Sequence, residues 1–122
     1  MGTTGTITGV SQYLKSKNSD IQIIGVRPTE GSQIPGIRRW SEEYIPLISK
    51  KAIIDQTIDI SQLEAENTMR LLATKEGIFA GVSTGGAAAV AIKLSSELSN
   101  ATIVSIACDR GDRYLSTGVF SK

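Results

Sequence analysis

Apolar residues recur along the chain in distinct rhythms, and each rhythm predicts an element. Ile7, Val10 and Leu14 stand at helical spacing. They predict a first helix from about Gly5 to Ser16, with Lys15-Ser16-Lys17-Asn18 as its solvated end. Ile21-Gln22-Ile23-Ile24-Gly25-Val26 is short, β-branched and mostly apolar, the pattern of a strand buried on both faces, with Pro28 as its stop. From Ala52 to Ile60 the pattern alternates: Ile54, Ile58 and Ile60 on one side, Asp55, Thr57 and Asp59 on the other, as in a half-buried strand. Ser61-Gln62-Leu63-Glu64 reads as a capping box. A helix therefore begins at Ser61, with Ala65, Met69 and Leu72 on its apolar face and Gly77 ending it. The short apolar link Ile78 to Val82 leads into Ser83-Thr84-Gly85-Gly86 and a helix from Ala87 to about Leu98. Thr102 to Cys108 predicts another buried strand, and Asp109 to Gly118 a polar turn beyond it.

Gly31 to Lys51 has no such rhythm. Pro35, Gly36 and Pro46 break it, and Arg38-Arg39-Trp40 lies in its middle. A stretch this long in a compact domain is a lid or is disordered. Strands alternating with helices predict an α/β fold with a largely parallel sheet. Ligands of such sheets bind at the carboxyl ends of strands, beside helix N-termini. Gly2–Gly9, Gly81–Gly86 and the loop after Cys108 all meet that description.

The first of these loops carries the strongest chemical signal. Met1-Gly2-Thr3-Thr4-Gly5-Thr6-Ile7-Thr8-Gly9 holds three glycines and four threonines at a predicted helix start. Glycine lets the backbone approach a ligand closely, and the hydroxyls and free N–H groups supply donors beside a positive dipole end. Together they make a phosphate cradle. No Gly-Lys-Ser/Thr follows and the glycines do not read GxGxxG, so neither a nucleotide P-loop nor a dinucleotide fingerprint is present. A glycine-rich helix entry that binds nothing is the other reading of this loop.

Composition narrows the chemistry further. With 122 residues the length suits one domain. The 13 basic and 12 acidic residues nearly balance, which gives no electrostatic case for nucleic acid or a membrane surface. A single cysteine, Cys108, and no histidine exclude a disulfide framework, the usual zinc arrangements and any histidine-based nucleophile. Chemistry must come from a cofactor, a lysine, carboxylates or hydroxyls. No secretory signal or bilayer-length apolar run is present, so a cytoplasmic location is expected. Met1 to Thr6 fits the myristoylation pattern, but the cradle already explains its glycines, and a single chain without a polybasic patch anchors weakly.

The stretches MGTTGTITGVSQYL, EGSQIPGIRRW, AENTMRLLATKEGIFAGVSTGG and CDRGDRYLSTGVF, in this order, resemble the C-terminal part of the cysteine synthases, pyridoxal-phosphate enzymes of the tryptophan-synthase β fold. IPGIRRW together with CDRGDRYLSTGVF resembles the B type. The resemblance implies that residues 1–122 form the C-terminal part of a partial doubly wound, fold type II catalytic domain. It implies replacement of the acetate of O-acetylserine by sulfide or thiosulfate, with pyridoxal 5′-phosphate as cofactor and a homodimer as the usual assembly. Gly2, Thr3, Thr4, Gly5 and Thr6 would hold the cofactor phosphate, and Ser83 would hydrogen-bond the pyridine nitrogen. A hydroxyl there keeps the ring a milder electron sink, which favours β-elimination. Arg38 and Arg39 would lie on a lid over the substrate, with Cys108 and Asp109 near the far edge of the ring.

Plainer roles exist for each of these residues. Ser83 or Thr84 can cap a helix, Arg38 and Arg39 can be a solvated pair, and Cys108 can be a packed small hydrophobe. The Asp109–Arg113 charges can pair among themselves on the surface. The family pattern also contains an N-terminal half with the cofactor-anchoring lysine and a Ser/Thr-Gly-Asn substrate loop, and neither is matched here. The expectation is a chain without catalytic residues of its own, inactive alone, that works with a separate N-terminal half. The alternatives are a non-catalytic anion-binding or interaction module and, more weakly, another enzyme of the same fold such as a cystathionine β-synthase or a threonine dehydratase. Ile34 to Trp40 speaks against that last group.

Overall fold

A computed structural model describes residues 1–121. Its elements are helix α1 (Gly5–Lys17), strand β1 (Ile24–Pro28), strand β2 (Gln56–Ile60), helix α2 (Gln62–Glu76) and helix α3 (Val82–Ser95), with 3₁₀ turns at Glu42–Tyr44, Leu47–Lys51 and Gly111–Thr117. The two strands pair in parallel, from Ile24 opposite Gln56 to Pro28 opposite Ile60. The α/β architecture with a small parallel sheet is the one that the alternation of elements predicts.

Helix α2 forms as its sequence dictates. The Ser61 hydroxyl accepts from the Glu64 N–H while the Glu64 carboxylate accepts from the Ser61 N–H, and Gly77 ends the helix at φ 68°. Only glycine adopts that left-handed conformation without steric cost. Ala65 and Met69 face the core, where they meet Ile60, Val82, Val90 and Val119. Gly85 lets the two helices cross with their backbones in contact, because a Cβ there would run into the Ala65 carbonyl and the Met69 N–H.

Several boundaries differ from the expectation. Strand β1 starts at Ile24 and includes Pro28; the next residue, Thr29, donates to the Ile60 carbonyl, so the Pro28 nitrogen faces away from β2 and its missing N–H breaks no ladder bond. Strand β2 is limited to Gln56–Ile60, the length over which it faces β1. Helix α3 begins at Val82, so Ser83 and Thr84 lie inside its first turn and Gly81 is the cap.

Two differences are larger. Thr102–Cys108 is not a strand: it pairs with neither β1 nor β2 and is exposed, Val104 by 85%. A strand exists only with a neighbour to satisfy its N–H and C=O groups, and apolar β-branched composition cannot supply one. Cys108 is accordingly an exposed thiol and not a packed hydrophobe.

Helix α1 turns Thr8 and Ser11 inward, while Val10 is exposed. The Ser11 hydroxyl accepts from the Ile53 N–H at 3.0 Å, and Lys15 pairs with Asp55 at 2.8 Å. The chain beside α1 is the short 3₁₀ turn Leu47–Lys51 and the irregular segment after it, whose backbone groups take side-chain partners from this polar face.

Gly31 to Lys51 is neither disordered nor a bare loop. Ile34-Pro35-Gly36-Ile37 makes a tight turn closed by the Ile37 N–H to the Ile34 carbonyl at 3.0 Å, with Gly36 at φ 88°. Proline and then a positive-φ glycine is the residue pattern of a type II turn. Ile34 and Ile37 are buried in the core and nail the segment down.

Candidate functional site

Three segments converge at the carboxyl edge of the sheet. The first is the start of α1. Its N-cap Thr4 has φ 68° and gives no side-chain cap, and its first turn has no acidic residue. The N–H groups of that turn have no partner within the helix. Thr4 is 92% buried (8% exposed), and its Oγ1 finds no partner among the described residues. A buried hydroxyl with no partner beside free backbone donors and no carboxylate is suited to an oxygen-rich anion.

The second segment is the Pro35–Gly36 turn. A Cβ on Gly2 would stand 2.7 Å from the Gly36 carbonyl oxygen, and a Cβ on Gly36 would stand 3.3 Å from Ser83 Cβ. The turn tip therefore lies between the cradle and the third segment, the start of α3. There Ser83 and Thr84 are buried, and Thr84 Oγ1 also lacks a partner among the described residues.

The two lid arginines are placed differently. Arg39 donates to the Pro28 carbonyl at 3.0 Å and pairs with Asp59, so it clamps the loop to the ends of both strands. Arg27 shares Asp59 at 2.7 Å, and its hydrogen bond holds that carboxyl below the usual carboxylate range. Arg38 has no such tie; its guanidinium lies 5.3 Å from the centre of the Trp40 ring. Of the pair, Arg38 is the one whose guanidinium has no hydrogen-bond or ion-pair partner among the described residues. A wide groove of about 1030 Å³ includes Arg38, Arg39 and Trp40 in its lining but none of Gly2–Thr6.

Gly2, the turn and Ser83 are thus brought together, while Thr3, Gly5 and Thr6 stand exposed at the mouth of the cradle. Sequence reasoning missed three supporting residues. Asp59 clamps Arg39, the Trp40 indole donates to the Gly2 carbonyl at 2.8 Å, and Tyr114 donates to the Asp109 carboxyl. Asp109 in turn accepts the Gly81 N–H on its carbonyl at 3.0 Å, which seats the first turn of α3. Arg110 pairs with Asp112 at 3.1 Å on the surface, as the plainer reading of that run expects.

Two outcomes follow from this geometry. Thr4 is a β-branched residue in the left-handed region, a conformation costing about 1–2 kcal/mol. Thr4→Gly should raise stability in urea by about 0.5–1 kcal/mol and yet weaken binding of inorganic phosphate; lower stability would contradict this. Burial, reinforced by Asp109, pushes the Tyr114 phenol up to about 12 from an ordinary 10.0. A raised pKa favours the neutral form in the fold, so this contribution is complete below pH 10 and is lost as pH rises toward 12. Thermal melts of Tyr114→Phe across that window should show a flatter alkaline decline than the parent.

The whole arrangement has known counterparts. The family of pyridoxal-phosphate dependent enzymes matches residues 1–109. The chain is 60% identical over 120 residues to cysteine synthase B of Pseudomonas aeruginosa, covering 98% of this chain and 40% of that protein. It is 56% identical to cysteine synthase B of Escherichia coli, covering 100% of this chain and 40% of that one. The crystal structure of cysteine synthase from Entamoeba histolytica superposes with a TM-score of 0.88 at 35% identity, over 100% of this chain and 39% of that one. The chain thus spans about 40% of the length of the relatives it matches.

Proposed function

Because the chain belongs to the pyridoxal-phosphate dependent enzymes, we propose that it supplies the C-terminal part of the active site of a B-type cysteine synthase. Pyridoxal 5′-phosphate, the cofactor of this family, supplies the electron sink for loss of a β-substituent. The reaction replaces the acetate of O-acetylserine by sulfide or thiosulfate. Gly2, Thr3, Thr4, Gly5 and Thr6 hold the phosphate through backbone N–H groups and hydroxyls. Ser83, in the first turn of α3, meets the pyridine nitrogen with a hydroxyl. Arg38 faces an anionic group of the substrate, while Arg39 holds the lid closed on Asp59.

One observation carries this reading: the Gly36 turn touches the cradle at Gly2 on one side and Ser83 on the other. Both ends of a phosphorylated ring are thereby served by one contiguous surface. The buried, unpartnered Thr4 hydroxyl supports an anion at the cradle end.

The cofactor-anchoring lysine is supplied by the N-terminal half. Lys15, whose side chain is only 12% exposed, is taken up by Asp55 and is not available for that role. The purified chain should therefore form no cysteine from O-acetylserine and sulfide. Co-expressed with an N-terminal half that carries the lysine, it should become coloured and active. Turnover by the purified chain would falsify the dependence. A complemented protein that stays colourless would overturn the assignment of the site.

A further inference from the structure

We infer that Trp40 is a positioning residue that ties the lid to the anion cradle, so that holding a phosphate and docking the lid reinforce one another. The inference rests on the cradle reading above. The Trp40 indole N–H donates to the Gly2 carbonyl at 2.8 Å, and the Arg38 backbone N–H donates to the Met1 carbonyl at 2.9 Å. Two consecutive cradle peptides are thus held by the lid. The peptide unit is planar and trans, so its carbonyl and its N–H point in opposite directions. Fixing the Gly2 carbonyl therefore fixes the direction of the Thr3 N–H, one of the cradle's donors.

An anion that accepts from the Thr3 N–H polarises the same peptide and strengthens the carbonyl as an acceptor for Trp40. Coupling of this kind is reciprocal: whatever holds the lid down improves the cradle, and an occupied cradle holds the lid. The residue next to Trp40 is already fixed, because Arg39 is bonded to Pro28 and Asp59. Arg38, Arg39 and Trp40 are thus three consecutive anchored residues, and this part of the lid is not a free flap. Arg38, beside the Trp40 ring, brings its positive charge to this junction.

Trp40 is the chain's single tryptophan, so its indole N–H gives one unambiguous resonance. The test is a titration of the isotopically labelled 122-residue chain with inorganic phosphate, followed at that resonance and at the amides of Thr3 to Thr6. Indole and amides should move together with the same midpoint. Trp40→Phe, which removes only the donor and part of the ring, should weaken phosphate binding about fivefold, the effect of one ordinary hydrogen bond.

A purely structural role would lower the melting temperature of that variant and leave its phosphate midpoint unchanged. Amides that shift while the indole stays still would overturn the coupling and leave the cradle standing. Amides that do not shift at all would overturn both. If Trp40→Phe does not fold, the shared midpoint of the parent chain decides the matter alone.

Discussion

Gly85→Ala should be the most damaging single-methyl change in this chain, costing about 3 kcal/mol or more. The reason is geometric. An added Cβ would meet backbone of α2, the Ala65 carbonyl and, at 2.7 Å, the Met69 N–H. A long side chain can swing out of the way, but the backbone of a helix moves only as a body. The two helices would have to separate, and Val82, Val90 and Met69 would lose contact together. Gly86→Ala is the control. Its Cβ would stand 3.3 Å from the end of the Ile37 side chain, which can give way. Equilibrium urea unfolding should rank Gly85→Ala far below Gly86→Ala. Equal stabilities would mean that the crossing is looser than described.

Met69→Ala should cost about 3 kcal/mol, within the 2–5 kcal/mol range for large-to-small changes in a core. Met69 is 1% exposed and packs at the centre of the cluster that includes Ile34 and Ile37 of the lid. The cavity would open in the core that also holds Ile34 and Ile37, the two anchors of the Pro35–Gly36 turn, so the loss should spread to the site. The double variant with Gly85→Ala should not recover, because removing the Met69 side chain leaves the backbone clash in place. Recovery in the double variant would show that the helices move apart around the added methyl once the Met69 side chain is shortened, against a rigid backbone clash.

The elements that were legible in the sequence are those whose signals are local. The Ser61–Glu64 capping box and Gly77 define α2 by themselves, because each satisfies orphan groups within one turn of chain. The Gly-Ala start of α3 is itself a local signal, because residues this small permit a close backbone approach, and α2 is what it approaches. The glycine–threonine loop announced donors without partners, and Thr4 and the open turn of α1 have that character.

Non-local features were not legible. Thr102–Cys108 has the composition of a strand, but composition cannot show that no partner lies beside it. The inward face of α1 is polar because an irregular neighbouring segment needs hydrogen bonds, and a periodicity of apolar residues misses that. Ile34-Pro35-Gly36-Ile37 could have been read as a turn between two anchors; treating Pro35 and Gly36 only as breakers concealed it. Trp40, Asp59 and Tyr114 act across 38, 20 and 5 residues of chain. Pairings over the two longer distances leave no mark in a single sequence.

The same division applies to chemistry. The electrostatic balance and the absence of histidine left a cofactor as one of the few routes to reactivity, and the family match is to pyridoxal-phosphate dependent enzymes. What the chain does with its lid depends on which arginine is tied down. The Arg39 contacts with Asp59 and with the Pro28 carbonyl, made between residues apart in sequence, separate the two.

The most direct measurement is equilibrium binding of pyridoxal 5′-phosphate and of pyridoxal to the purified chain, each with and without inorganic phosphate. Pyridoxal closes to an internal hemiacetal and reacts less with exposed lysines than its phosphate ester does, so the diagnostic part of the binding is the part that inorganic phosphate removes. A cradle at Gly2–Thr6 predicts extra binding of the phosphorylated form that inorganic phosphate removes and that Thr4→Gly weakens. Binding indifferent to inorganic phosphate would contradict the assignment of that loop as the cofactor's anchor.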